Sequence, residues 1–480
     1  MFLRVGLEDI KVSLKDTGTV LTYAGLSFFV PIILAIIIDK NSFNLLAYSI
    51  SALLLFMLGY SLKTIVVTKK ETEPKHAMLS IVLIWLLYCL FASLPFAIIM
   101  RISPLDAFFE VMSSLTTTGL TVMNPLLDVT PLSLIFWRTF LGWIGGVGIV
   151  LMALIGLMTT YSKTIRLLGA EGRGDQFKEN IRSSAKKISS IYIMLTLFGV
   201  LLLLLSGLGV WESVNYSMSL ISTTGMDITT DGMVGENSPL LIISLTVIMI
   251  LGAMSFSLHY LWMRKRDFRI VFADPEFRAL IFIGGVGTIF LAAKMGFLYG
   301  FLESFSALTC GSAAVFVPNF FFSMDDFTKT IIIILMIIGG SAGSTAGGIK
   351  ISRLLIFLKG VYWKIKSTVL PQEAYFKTTY NGENVSSSQL KEINQFILLW
   401  IIFLAIGTFV IMGYGYDFGN AFFEVASAQS NVGISTGITN INMPTGVEVM
   451  LIINMFVGRL EIIPLMASVG LLLSLKKRRS

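Results

Sequence analysis

The chain has 480 residues, 55% of them hydrophobic and only 14% charged, with a formal net charge of +7 and a mean hydropathy of +0.81. A soluble domain of this length cannot hide so much apolar surface, so the chain reads as an integral membrane protein of many spans. Two cysteines and two histidines, far apart, exclude a disulfide scaffold and a zinc or histidine metal cluster. The positive charge fits the basic cytoplasmic loops of a membrane protein and calls for no nucleic acid.

In chain order, Arg4, Glu8, Asp9, Lys11 and Lys15 precede the first apolar run, and no cleavable signal is expected. Residues 21–38 and 45–62 are predicted spans joined by Asp39-Lys40-Asn41-Ser42 and followed by Lys63, Lys69, Lys70 and Lys75. A three-part unit then recurs four times: a span, a segment too polar to cross and too apolar for an ordinary loop, and a second span. Its parts are 79–100, 104–125 and 132–159; 188–210, 211–232 and 240–263; 279–300, 301–320 and 330–358; 396–414, 416–440 and 447–475. This divides the chain into an N-terminal two-helix segment, 1–78, and repeats at 79–187, 188–278, 279–395 and 396–480.

Basic residues follow the second span of each unit: Lys163, Arg166 and Arg173; Arg264, Lys265 and Arg266; Lys359, Lys364 and Lys366; and the tail from Lys476 to Arg479. The expected orientation places both termini and the long linkers in the cytoplasm. Each mixed segment must then dip into the membrane and return on the outer side, which backbone tolerates only inside protein or along water.

Aligned on one glycine each, the mixed segments read Thr116-Thr117-Thr118-Gly119, Ser222-Thr223-Thr224-Gly225, Leu308-Thr309-Cys310-Gly311 and Ser430-Asn431-Val432-Gly433. The first and fourth also share Ala-Phe-Phe-Glu-Val, with Glu110 and Glu424 each nine residues before its glycine. The apolar stretch before each glycine suits a short pore helix, and the residues up to the glycine suit a backbone with inward carbonyls. Four such segments around one axis make oxygen rings able to replace the water shell of a monovalent cation. The acids could instead attract cations or bond to backbone N–H groups; the nine-residue offset favours the second.

The second span of the third repeat is interrupted by Gly339, Gly340, Ser341, Ala342, Gly343, Ser344, Thr345, Ala346, Gly347 and Gly348, followed by Lys350 and Arg353. Such a stretch loses helical hydrogen bonding and must lie inside protein or along a water-filled path, as broken helices of channels and transporters do. Lys350 either anchors this loop or marks the membrane interface. Arg459 stands in an otherwise apolar helix and must face water or a partner, Glu461 being one option and the pore the other.

These features together resemble the Trk/Ktr/HKT superfamily of cation transporters, and most closely its TrkH-type members. The resemblance covers nearly the whole chain. It rests on the four filter segments, Gly142-Trp143-Ile144-Gly145-Gly146-Val147-Gly148, the run Gly339 to Lys350, and Gly458-Arg459-Leu460-Glu461. It implies an all-α integral membrane protein with four membrane–pore-loop–membrane repeats around one central pore and two added N-terminal transmembrane helices. It implies K+ selectivity where all four filter glycines are present, read here as Gly119, Gly225, Gly311 and Gly433. Rb+ then serves as a surrogate and Na+ passes weakly, with selectivity softened by the unequal third and fourth copies. The expected ion ligands are Thr117, Thr118, Gly119, Thr223, Thr224, Gly225, Thr309, Cys310, Gly311, Asn431, Val432 and Gly433. The loop from Gly339 to Lys350 and Arg459 are expected to meet below them as a gate. The resemblance further implies a homodimer in a prokaryotic plasma membrane, the inner one in a Gram-negative cell, and a cytosolic TrkA-like nucleotide-binding regulatory subunit. No organic cofactor on this chain and no enzymatic activity are expected, since no G-x-G-x-x-G follows a strand and no catalytic cluster repeats. The competing function is a Na+- or H+-coupled carrier of a small organic solute, which the near absence of acids in the spans disfavours.

Overall fold

The computed structural model describes residues 7–68, 70, 72–148, 174–230, 232, 238–313, 318–371, 377–460 and 462–476. Among them the chain is almost wholly helical, with one two-residue antiparallel hairpin, Thr379–Tyr380 with Glu383–Asn384. Lys69, the basic residues at 163, 166 and 173, Glu461 and the tail beyond 476 lie outside the described residues.

The first span runs over Leu7–Asp39, longer than hydropathy expects, and returns as Ser42–Ile65. Asn41 caps the return by accepting from the Phe43 N–H at 2.9 Å. The two helices cross where Gly18 faces Gly59. A Cβ on Gly18 would stand 2.6 Å from the Lys63 nitrogen, so only glycine allows the approach. The helix starts early because Asp9 is buried and partnered, lying 2.7 Å from His76 Nε2 and 3.2 Å from Lys75 Nζ.

The outer helices of the four repeats are Lys75–Met100, Ser183–Leu205, Pro275–Met295 and Ser387–Gly413. Each is followed by a short helix: Pro104–Leu115, Val210–Ile221, Phe297–Thr309 and Phe418–Gln429. Serines such as Ser113, Ser219, Ser306 and Ser427 are fully buried in these short helices, which accounts for their mixed composition: they face protein and not lipid. The third starts four residues earlier than the sequence pattern places it, because Gly296, at φ 83°, ends the outer helix.

The inner helices depart most from expectation. The first is described from Leu132 to Gly148 and is apolar over that range. The second is not one straight span over 240–263. It breaks between Pro239–Ala253 and Phe256–Lys265 with a 99° bend. The third stops at Ile338 and resumes at Ile351, as the glycine cluster predicts. The fourth, Thr445–Arg459, is likewise followed by a bend, of 108°, before Pro464–Gly470.

Candidate functional site: four turns and an inserted loop

After each short helix the backbone makes one left-handed turn, at Thr117 (φ 53°), Thr223 (φ 55°), Cys310 (φ 59°) and Asn431 (φ 54°). None is a glycine, and such a conformation costs a side chain about 1–3 kcal/mol. Its fourfold recurrence marks it as architectural. The next residue closes the turn each time: the N–H groups of Thr118, Thr224, Gly311 and Val432 donate to the carbonyls of Ser113, Ser219, Ser306 and Ser427 at 2.8, 2.8, 3.0 and 2.9 Å. The third residue again has positive φ: Gly119 (89°), Gly225 (66°), Ser312 (45°) and Gly433 (100°).

This register corrects the glycine alignment of the third segment by one residue. Ser312, and not Gly311, stands where Gly119, Gly225 and Gly433 stand. Cys310 takes the place of Thr117, and Thr309 is still the last residue of the short helix. Gly311 turns its Cα towards the second inner helix, where a Cβ would come 2.6 Å from Met249 Cγ. The signal was present in sequence: Glu303 stands nine residues before Ser312, as Glu110 and Glu424 do before their glycines.

The four third residues close into a ring. A Cβ on Gly119 would overlap the Thr224 carbonyl, one on Gly225 the Gly311 carbonyl, and one on Gly433 the Thr118 carbonyl. A Cβ on Gly433 would also stand 2.9 Å from Ser312 Oγ, which joins the third segment to the fourth. Asn431 Nδ2 ties the fourth segment to the first by donating to Thr118 Oγ1 at 2.9 Å. Gly119, Gly225, Ser312 and Gly433 all line a single cavity of 280 Å³, together with Thr121, Asp227 and Ser435.

Behind the ring sit the acids. Glu110 is fully buried, accepts from Thr121 Oγ1 at 3.0 Å and the Val122 N–H at 3.2 Å, and pairs with Arg138, whose Nε and Nη2 both lie 2.7 Å from its Oε1. Glu424 accepts from the N–H groups of Thr436 and Thr439 at 2.9 and 3.0 Å. Both therefore hold the strand leaving the turn. Arg138 passed unremarked in the sequence, although a lone arginine in an apolar span is itself a signal. Its Nη1 reaches the Asp227 carbonyl at 3.0 Å and so braces the first segment against the second.

On the other side of the turns lies the loop of the third inner helix. It folds back on itself: the Ile349, Lys350 and Ile351 N–H groups donate to the carbonyls of Ile337, Ile338 and Gly340 at 2.9, 2.9 and 3.0 Å. Its tip enters the break of the second inner helix. Ser341 N–H donates to the Ala253 carbonyl at 3.0 Å, Phe256 N–H to the Gly343 carbonyl at 3.1 Å, and Thr345 Oγ1 reaches the Ile221 and Gly252 carbonyls, each at 2.9 Å. The broken helix thus finds partners for its freed backbone. Ala342 N–H donates to Glu276 at 2.7 Å and Gly348 N–H to the Ser430 carbonyl at 3.0 Å. Lys350 Nζ points to the Ser344 carbonyl at 3.5 Å, within the loop itself. Gly347 packs beneath the fourth turn, where a Cβ would stand 3.1 Å from Asn431 Cβ.

Arg459 joins loop and bundle. It is buried, and its Nη1 donates to the Thr345 carbonyl at 2.7 Å and its Nη2 to the Gly145 carbonyl at 3.3 Å. Loop, first inner helix and fourth inner helix therefore meet at one guanidinium under the turns. Gly458, beside it, lets the fourth inner helix touch the Gln429 carbonyl at the end of its short helix, and Gly145 does the same at Leu115.

The sequence profile of the TrkH family, described as a cation transport protein, matches residues 76–295 and 291–473. The chain belongs to the TrkH family. Among its relatives, an uncharacterized cation transporter of Methanocaldococcus jannaschii is 31% identical over 470 residues, covering 96% of each chain. The Trk system potassium uptake protein TrkH of Escherichia coli K12 is 28% identical over 420 residues, covering 83% of this chain and 86% of that one. In fold, this TrkH-family member is similar to the crystal structure of the potassium transporter TrkH from Vibrio parahaemolyticus, with a TM-score of 0.81, 24% identity, and 95% and 97% of the two chains covered.

Proposed function

We propose that this cation transporter is the potassium-translocating pore subunit of a Trk-type K+ uptake system. The observation that carries the reading is the closed ring of four turns at the base of one cavity. In it Gly119, Gly225 and Gly433 lie edge to edge with the carbonyls of Thr224, Gly311 and Thr118. The names of the Escherichia coli and Vibrio parahaemolyticus relatives, both potassium transporters, support K+ as the cargo.

In this reading a hydrated cation enters the cavity past Asp227 and exchanges water for the oxygens of residues 117–119, 223–225, 310–312 and 431–433. Below, the loop from Gly339 to Lys350 and the Arg459 guanidinium form the barrier. A fixed positive charge beside the passage repels a cation by about 1–4 kcal/mol, according to how far water screens it, until it moves. We further propose a homodimer with one pore per protomer in the plasma membrane of a prokaryote, with both termini cytoplasmic. The gate then answers to a cytosolic TrkA-like nucleotide-binding subunit acting through the helix that resumes at Ile351.

The test is rubidium uptake into liposomes that hold only this chain, driven by an outward K+ gradient. Accumulation of the tracer, abolished when the gradient is collapsed, is the expected result. Uptake of an organic solute driven by Na+ or H+, without rubidium flux, overturns the reading.

A further inference from the structure

We infer that the hollow beside the break of the second inner helix is a site for an anionic phospholipid. One acyl chain fills the hollow, and the phosphate lies on the basic turn that follows.

Beyond the 99° bend, Phe256–Lys265 runs nearly across the direction of Pro239–Ala253. With the short helix Arg269–Ala273 and the start of Pro275–Met295 it borders a cavity of 220 Å³. Val247, Met254, Trp262, Phe268 and Phe272 are among its lining residues, and His259 is the only one that is not apolar. Phe268 and Phe272 line it and are also 61% and 64% exposed, so it opens on the outside of the bundle. An apolar hollow stays dry, and at membrane level it takes hydrocarbon. His259 is buried, and its Nε2 lies 2.9 Å from the Leu251 carbonyl, so in the neutral ring Nε2 holds the proton and Nδ1 is an acceptor. Nδ1 has no partner among the described residues. A buried acceptor is ordinarily paired, and a hydroxyl-bearing head group can supply the donor.

Charge selects the lipid. Arg264, Lys265, Arg266 and Arg269 follow Trp262 and flank Phe268, all four exposed, and Asp267 is the one acid from Phe256 to Ala273. Its Oδ1 accepts from the Arg269 N–H at 2.9 Å. A tryptophan, exposed Leu261 and Met263 and a cluster of cations on one short crosswise helix are the pattern of a segment at head-group level that attracts anionic lipid. The walls of the hollow also carry the loop of the third inner helix. Met254 follows Ala253, which accepts from Ser341, and Phe277 follows Glu276, which accepts from Ala342. A lipid held there fills the space beside the joint on which that loop rests.

Phosphatidylcholine liposomes holding the full chain, doped with lipid brominated on the acyl chain, test the site. Bromine quenches tryptophan at contact, and the part of the quenching lost in Trp262→Phe reports the hollow. Brominated phosphatidylglycerol is expected to act at lower mole fraction than brominated phosphatidylcholine, by about fivefold for each basic residue it engages. Arg264→Gln, Lys265→Gln, Arg266→Gln and Arg269→Gln together should abolish that preference. Val247→Phe, which narrows the hollow from its exposed side, should weaken quenching by both lipids. Equal quenching of the native chain by the two lipids overturns the site and leaves ordinary surrounding lipid. A preference that survives the four glutamines overturns the basic turn as the phosphate contact. No quenching by either lipid means that protein, such as a second copy of this chain, covers the hollow, and overturns the site. Occupancy read this way does not depend on which ion crosses, so its failure leaves the pore reading untouched.

Discussion

The turns of the ring and the loop beneath them are held by different means. The turns are braced from behind by buried charge: Glu110 with Arg138 on one side, and Glu424 with the backbone of Thr436 and Thr439 on the other. The loop is held by dispersed hydrogen bonds to helix ends, at Ala253, Gly252, Ile221 and Ser430, by one from Ala342 to the Glu276 carboxylate, and by the guanidinium of Arg459. A buried ion pair is costly to break from one side, by about 3–5 kcal/mol. A neutral hydrogen bond contributes about 0.5–1.5 kcal/mol net, and can be exchanged for water one at a time. The difference teaches that the contacts behind the ring are costlier to break one at a time than those that hold the loop.

The largest expected effect comes from removing the brace. Glu110→Ala leaves Arg138 buried without its carboxylate, and should cost roughly 3–5 kcal/mol. Thermal unfolding in detergent reads it, and a melting temperature equal to the native one would show that the brace is ornamental. Next is the ring itself. Gly119→Ala puts a Cβ onto the Thr224 carbonyl at φ 89°, and rubidium uptake should fall by about tenfold to a hundredfold from strain of ~1–3 kcal/mol. Undiminished uptake would mean that ions bypass these turns.

Smaller effects of the opposite sign are expected from the loop. Arg459→Ala removes the central charge and its two carbonyl contacts, so basal flux without a cytosolic partner should rise by roughly tenfold. Flux that stays flat would place the barrier elsewhere. Thr345→Val, which removes the bonds to Ile221 and Gly252, should raise basal flux only a few-fold, about what one net hydrogen bond is worth. If Thr345→Val exceeded Arg459→Ala, the hydrogen bonds and not the charge would be the closure.

Much of this was legible in the sequence. Hydropathy and the recurrence of span, mixed segment and span predicted the helical membrane architecture, because apolar runs of sufficient length cross a bilayer whatever surrounds them. The glycine cluster at 339–348 announced its own break, since a helix cannot pass through so many glycines at membrane depth. The offset of the repeated acids favours bonds to backbone N–H groups, and Glu110 and Glu424 accept from those of Val122 and Thr436. Other features needed the folded chain. The 99° bend after Ala253 has no glycine cluster or proline to announce it. It exists because the loop tip of another repeat supplies the partners for Ala253 and Phe256. The register of the third segment was settled by the fold, although Glu303, nine residues before Ser312, also marks it. Gly311 looked like the filter glycine, but positive φ at that level is imposed by the turn and by the neighbouring segments, and Ser312 adopts it under that constraint. Sequence determined which segments enter the membrane and where the backbone must leave the helix. Tertiary structure alone decided which residue of each segment faces its neighbours, because a closed ring is a contact among four distant stretches and no one of them encodes it.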